Sequence, residues 1–147
     1  MAKNSSVEQE VVLTGRDREN ALVLAALSEL LRVIDESLAA GNLSFPAAFS
    51  VACDGIAPQF PFLESSRAAL VYKDGEIRLN ADAETDLVLC AVFAALRPIF
   101  RRLRSEVKYS GLLAIVSDRL LEISAERRIE FVNLGLMRHL EDLLADE

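Results

Sequence analysis

The sequence predicts a single α+β domain in which helices pack against an antiparallel sheet. Three observations carry this prediction: a long amphipathic segment near the N-terminus, an Asp-Gly turn between two short apolar runs, and a period-2 alternation that begins at residue 128. The predicted order is helix, hairpin, helix, three strands, helix. A mostly α-helical bundle is the alternative, because part of the apolar sequence after position 110 also clusters tolerably on a helical wheel.

Length and composition indicate one ordered domain. The chain has 147 residues, of which 52% are hydrophobic and 27% charged, and this composition is typical of globular proteins that bury a core. We expect the domain to span residues 9–147, after a disordered N-terminus at residues 1–8. The longest uninterrupted apolar run, from Leu87 to Leu96, is too short to cross a membrane as a helix, which takes about 20 residues.

The first helix is predicted between Arg18 and Ala40. Its apolar residues recur at helical spacing and form one arc, with polar residues opposite. Asp17 is the expected N-cap, and Gly41-Asn42 is the expected stop, because glycine and asparagine tolerate the left-handed backbone at a helix C-terminus. The apolar arc consists of Val23, Leu24, Leu27, Leu30, Leu31, Ile34 and Leu38.

Residues 43–66 are predicted to form an irregular Phe/Pro-rich connection. Three of the four prolines and four of the seven phenylalanines fall there without a sustained period, and only a short helix near Ala47 to Ala52 is expected. The segment also supports two alternative functions, a docking groove on a helical adaptor protein or a pocket for a small molecule. The side chains that would roof such a pocket are Phe45, Phe49, Phe60 and Phe62.

A β-hairpin is predicted next. The extended runs Ala69–Tyr72 and Glu76–Leu79 flank Lys73-Asp74-Gly75. Asp-Gly between two such runs is a strong hairpin signal, because the turn requires positive φ, which glycine adopts without steric cost.

A long helix is predicted from Ala83 to about Lys108. Pro98 interrupts its pattern: proline lacks the amide proton and crowds the preceding turn, so we expect a kink or a break near Ala94 to Arg97. Acidic residues stand at the start of the helix, where its dipole favours negative charge. These residues are Asp82, Glu84 and Asp86.

Phe131 and Leu134 decide the interpretation of the C-terminal third. In a single helix they would project from the polar side, opposite Ile129 and Leu136, so we predict a strand followed by a helix that Asn133 caps. Two further short strands precede this one. The predicted strands are Leu113–Ser117, Leu120–Ser124 and 128–132, and a helix over Leu112–Ile123 stays open as the alternative.

Two stretches resemble the Roadblock/LC7 domain. AALVYKDGEI, from Ala68 to Ile77, is similar to the family's apolar strand with its Asp-Gly turn, and NLGLMRHLEDLL, from Asn133 to Leu144, is similar to the entry into its last helix. The resemblance covers roughly residues 67–144, and the long connection at 43–66 departs from the family pattern. It implies a non-enzymatic regulatory or scaffolding homodimer that associates with a small GTPase or a signalling complex.

The resemblance also implies a position for the dimer interface. Family members pair through the long second helix and the strand that follows it, which correspond here to Ala83–Lys108 and roughly Leu112–Ser117. The apolar residues that would form this interface are Val88, Val92, Leu96, Ile99 and Leu103.

Four basic residues are the candidate partner-binding site. Arg97, Arg101, Arg104 and Lys108 are spaced by four, three and four positions, which places them within a narrow sector of the long helix. They form either a site for an acidic partner or a complement to the helix dipole and to nearby acidic side chains. The sequence leaves both interpretations open.

Charge and motif content argue against several functions. With a net charge of -7, the chain repels nucleic-acid phosphates, so we expect no nucleic-acid partner. His139 is the single histidine and lacks a carboxylate placed to orient it, while Cys53 and Cys90 are predicted to be buried, reduced thiols. No motif for a metal, a cofactor or a catalytic nucleophile is present. We predict a non-enzymatic, cytoplasmic protein without cofactor or metal.

Overall fold

A computed structural model of the chain describes residues 15–64 and 69–145. Helices account for 80% of the described residues, and the sheet within them has two strands. The fold is therefore mostly helical with a small antiparallel hairpin. The elements are α1 (Gly15–Ala40), α2 (Phe45–Ile56), a 3-10 turn (Ala57–Gln59), α3 (Pro61–Glu64), β1 (Leu70–Lys73), β2 (Glu76–Leu79), α4 (Thr85–Ser105), a 3-10 turn (Val107–Tyr109), α5 (Ser110–Glu126), α6 (Arg128–Asn133) and α7 (Leu136–Ala145).

Helix α1 confirms the prediction of a first amphipathic helix. All of its predicted apolar arc is buried except Leu24, which is half-buried. The helix ends in a Schellman motif: Asn42 adopts a φ of 62°, and the amide of Leu43 donates to the carbonyl of Leu38 over 2.9 Å. The predicted cap at Asp17 is wrong, because α1 already begins at Gly15. The predicted disorder at residues 1–8 lies outside the described residues.

The predicted irregular connection at 43–66 is largely helical. Ser44 caps α2 by accepting a hydrogen bond from the amide of Ala47 over 3.4 Å, and Pro46 fits the first turn, where its missing N–H has no partner to lose. The helix predicted near 47–52 is thus confirmed and extends in both directions. Small residues on its outer side hide the helical period, while Phe45, Phe49 and Ile56 are buried against the core.

The hairpin is confirmed. Tyr72 pairs with Ile77 and Lys73 with Glu76 in an antiparallel register, with Asp74 at a φ of 54° and Gly75 at 78° in the turn. Helix α1 packs against β2, and α2 packs against β1. The phenolic hydroxyl of Tyr72 donates to the carboxylate of Asp35 over 2.9 Å, which fixes the hairpin on α1.

Helix α4 crosses the core and continues through Pro98, so of the kink or break predicted near Ala94 to Arg97, the break does not occur. Pro98 is on the exposed side, so the lost hydrogen bond affects the outer surface of the helix. Buried neighbours on the inner side, among them Leu96, Ile99 and Phe100, hold the helix against α2 and α7.

The three strands predicted after residue 110 are wrong, because this segment forms α5 and α6. The prediction assumed that Ile129 and Phe131 share a buried face. The structure buries Phe131 completely, whereas Ile129 is 78% exposed and Val132 53% exposed. Asn133 closes α6 and does not cap the last helix, which begins after Gly135, a residue with a φ of 81°.

Candidate partner-binding site

The structure divides the four basic residues into two pairs. One guanidinium nitrogen of Arg104 donates to the carbonyl of Leu143 over 2.6 Å, so Arg104 caps the end of α7. The ammonium of Lys108 lies 3.5 Å from a carboxylate oxygen of Glu106 and 5.1 Å from the ring centroid of Tyr109. These contacts agree with the second interpretation of the basic residues: Arg104 complements the end of a helix, and Lys108 complements a nearby acidic side chain.

Arg97 and Arg101 instead line one side of a depression of about 380 Å³. Both are exposed, and among the residues that the structure describes Arg97 has no ion pair or hydrogen bond. His139 from α7 and Gln59 from the turn after α2 complete the polar rim, and Phe93 contributes to the apolar floor. We call this feature the arginine depression, defined by Gln59, Cys90, Phe93, Arg97, Arg101 and His139.

His139 is positioned by an aromatic contact. Its ring is stacked on Phe93 with centroids 5.1 Å apart and an interplanar angle of 16°. Burial holds the pKa of His139 below its usual range, and the charges of Arg97 and Arg138 act in the same direction, while Asp142 and Asp86 oppose them. The shift favours the neutral imidazole, which carries one N–H donor and one nitrogen acceptor.

An apolar groove lies on the other side of Pro98. It has a volume of about 460 Å³ and is formed by α2 and α4. Val51, at its edge, is 71% exposed. The residues that define this α2–α4 groove are Leu43, Ala48, Val51, Pro98, Ile99 and Arg102. The alternative prediction of a helical adaptor placed a docking groove in the Phe/Pro-rich connection at residues 43–66. The α2–α4 groove is partly formed by this connection, because α2 belongs to it.

The residues assigned to a dimer interface lie inside a single chain. Val88, Val92, Leu96 and Leu103 are at most 1% exposed, and Ile99 is 9% exposed. Val88, Val92, Leu96 and Leu103 pack in the core of this chain and have almost no surface to offer a second copy, whereas Ile99 also borders the α2–α4 groove. Helical spacing identified one face of α4 correctly, but the sequence could not show that α2 and α7 cover that face.

Two other predictions are only partly met. The four phenylalanines do not roof one pocket: Phe45 contacts Phe49 and Tyr72, whereas Phe60 contacts Phe62 in a separate pair. Cys53 is buried as predicted, but Cys90 is exposed and lines the arginine depression. Burial, with a smaller contribution from the charge of Asp54, raises the pKa of the Cys53 thiol to about 12.

The acidic residues before α4 do not gather into a ligand set. Within residues 15–64 and 69–145, no group of three or more His, Cys, Asp and Glu side chains is arranged to hold a metal ion. Glu84 occupies the N-cap position of α4. The side chain of Thr85, the first helical residue, donates to the amide oxygen of Asn20 over 2.6 Å and so joins α4 to α1.

Comparisons of the chain with protein-family models, with curated proteins and with solved structures found no match. The resemblance to the Roadblock/LC7 domain thus rests on the stretches AALVYKDGEI and NLGLMRHLEDLL alone. Of the sheet that it implies, the described part of the chain forms only the hairpin. None of the helices in that part combines the length and apolar character needed to span a membrane.

Proposed function

We propose that this protein is a non-enzymatic adaptor that binds an acidic protein partner through the surface on both sides of Pro98. One observation carries the proposal: Arg97, Arg101 and His139 converge on one depression, directly beside an exposed apolar groove. The chain as a whole has a net charge of -7, so the two arginines beside this depression give an acidic partner a local point of attraction on an acidic protein.

The two features together define the chemistry of the partner. The α2–α4 groove fits the apolar side of an amphipathic helix, with Val51 and Ile99 as contacts. A carboxylate on the flank of that helix reaches Arg97, whose planar guanidinium can donate two parallel hydrogen bonds. The apolar contacts supply affinity, while the arginines fix the orientation and reject basic peptides.

Peptide display tests this function and does not require an identified partner. Selection of helical peptides on the wild-type protein should enrich sequences that place apolar residues three or four positions apart and Asp or Glu beside them. The double variant Arg97→Glu, Arg101→Glu should lose binding to the enriched peptides, as should Val51→Glu. Each change lies at an exposed helical position, so circular dichroism should match the wild type.

Arg128→Glu is the matched control. Arg128 is an exposed arginine on α6 that does not line the arginine depression and borders a different one. Its reversal changes the net charge of the protein but leaves the proposed site intact. Enriched peptides without acidic residues, or equal binding by the Arg97/Arg101 double variant and the wild type, would contradict the proposed function.

Self-association is a second candidate function, favoured by an exposed apolar face at α6. Leu22, Ile129 and Val132 are 54%, 78% and 53% exposed. Leu22 and Ile129 border one depression together with Leu134. Light scattering at micromolar concentration should then detect a dimer, and Ile129→Glu should convert it to a monomer. A strictly monomeric wild type rules out this candidate. Association with a small GTPase stays a prediction of the resemblance.

A further inference from the structure

The two strands of the hairpin have different outer edges. The edge of β2 is covered by α1: the amide of Ile77 donates to the hydroxyl of Ser28 over 3.0 Å, and that hydroxyl donates to the carbonyl of Leu24 over 2.8 Å. Ser28 is itself buried. At Ile77 this edge is therefore engaged by α1, which hinders the approach of another strand there.

In β1, two residues direct their backbone amides and carbonyls away from β2, toward the outer edge of the hairpin. A two-residue turn makes Lys73 and Glu76 a hydrogen-bonded pair, and such pairs alternate along an antiparallel ladder. Val71 is thus bonded to Arg78, and the amide of Asn80 donates to the carbonyl of Ala69 over 2.7 Å in the same pattern. The amides and carbonyls of the intervening residues, Leu70 and Tyr72, point away from β2.

The two residues that carry those outward groups are largely buried. Leu70 is 5% exposed and Tyr72 is 6% exposed. Among the contacts within 15–64 and 69–145, no hydrogen bond engages the backbone of either residue on this edge. Buried backbone donors and acceptors nearly always have partners, because leaving them unpaired costs free energy.

A groove of about 470 Å³ opens beside this edge. One side is lined by the β1 residues Leu70, Val71 and Tyr72, and the other is lined by α2, which contributes Phe49, Ser50, Cys53 and Asp54. Leu63 and Ala57 border the same space. We call it the β1 groove. A strand edge facing a helix across a groove is the geometry in which an extended peptide pairs with backbone groups on one side and places side chains against the helix.

We propose that the β1 groove binds an extended peptide of a partner protein, which pairs with the outer edge of β1 as a third strand. This site is separate from the proposed surface around Pro98 and takes a ligand of different chemistry. Alternate peptide side chains face Leu63, which is half-buried at the border of the groove. Asp54, exposed at the rim, and the net charge of -7 favour a lysine or an arginine elsewhere in the peptide.

The test uses a defined probe and a twin of identical charge. The probe is a fluorescein-labelled peptide of about eight alternating valine and lysine residues, enough to cover the strand at roughly 3.3 Å per residue. The twin carries N-methyl groups on the amides of one edge, which removes the donors for strand pairing and keeps every side chain. The probe should bind, and the twin should bind at least about tenfold more weakly.

Nuclear magnetic resonance locates the bound strand. Binding should shift the amides of Leu70 and Tyr72 and slow their exchange with solvent, while the amide of Val71, already bonded to β2, should change little. Ser50→Trp should fill the groove and abolish binding, because Ser50 is exposed on the wall formed by α2. Ser105→Trp, an exposed serine at the end of α4, is the control.

Several outcomes would overturn the proposal. Equal binding by the probe and its N-methylated twin would show simple attraction between opposite charges. Slow exchange of the Leu70 and Tyr72 amides without the probe would show that another part of the chain already covers the edge. If that protection grows with protein concentration, a second copy of the chain covers it. The Arg97→Glu, Arg101→Glu variant should still bind the probe, so failure of this site and failure of the proposed function are distinguishable.

Discussion

The guanidinium of Arg104 and the carbonyl of Leu143 form a 2.6 Å hydrogen bond that joins the end of α4 to the last turn of α7. Arg104→Ala should lower the free energy of unfolding by about 1 kcal/mol, because a half-buried charged donor is lost from a helix end. Urea denaturation measures the effect. Arg102→Ala should leave the unfolding midpoint nearly unchanged, since Arg102 pairs with Glu106 in open solvent. Equal effects of the two changes would contradict this role for Arg104.

Phe131 and Ile129 should respond very differently to truncation. Phe131 is fully buried, so Phe131→Ala should destabilise the protein by about 3–5 kcal/mol through lost contacts and a new cavity. Ile129→Ala should have almost no effect, because Ile129 is 78% exposed on α6. A strand over 128–132 would place both on one face and give both changes a similar cost. Chemical denaturation of the two variants therefore also tests the helical assignment.

The buried hydroxyl of Ser28 should be important for stability. Ser28→Ala removes the acceptor for the amide of Ile77 and leaves that donor unpaired, at a cost of about 1–3 kcal/mol. Hydrogen exchange at Ile77 should become faster than in the wild type. Ser105→Ala, which removes an exposed hydroxyl bonded to the carbonyl of Arg102, is the control. An unchanged exchange rate at Ile77 would show that Ser28 does not protect the strand edge.

Stability should fall at mildly acidic pH because of His139. Burial holds its pKa below the usual range, so the unfolded chain takes up a proton near pH ~6.5 while the folded chain resists protonation until a lower pH. This contribution is complete above the unfolded pKa and is lost as the pH falls below it. The difference in unfolding midpoint between the wild type and His139→Gln should change over that range. Parallel pH profiles would contradict the prediction.

The two cysteines should differ in reactivity. The pKa of the buried Cys53 thiol is raised to about 12, so almost none of it is thiolate near neutral pH. Cys90 is exposed. A thiol reagent should modify Cys90 in the native protein and reach Cys53 only after denaturation. Mass spectrometry of Cys90→Ser should then detect no rapid labelling, and rapid labelling of that variant would show that the region around Cys53 opens readily.

Features with a local cause could be predicted from the sequence. The arc of α1, the stop at Gly41-Asn42 and the turn at Asp74-Gly75 each follow from side-chain periodicity or from a positive φ within a few residues. The error after residue 110 has a different origin. It came from assuming that large apolar side chains are buried, whereas Ile129 and Val132 are exposed on α6. Whether Ile129 or Phe131 faces the core depends on how α6 packs against the rest of the chain, which the apolar pattern alone does not show.

The candidate partner-binding site also shows how far local sequence patterns can predict structure. Helical spacing correctly placed Arg97 and Arg101 together on α4. It could not separate them from Arg104, because the contact that engages Arg104 comes from α7, a distant part of the sequence. The stacking of His139 on Phe93 likewise depends on how α7 packs against α4. Local patterns identify a helix face, and tertiary packing decides what each side chain of that face contacts.

Helix α2 stands between the two proposed binding sites. Phe49, Ser50 and Cys53 border the β1 groove, and Ala48 and Val51, on another side of the same helix, border the α2–α4 groove. A ligand that displaces α2 from one side changes the width of the opposite groove. Thermodynamic reciprocity then requires each ligand to alter the affinity of the other by the same factor. A single short helix would make the adaptor cooperative, so that one partner sets how firmly the protein holds the second.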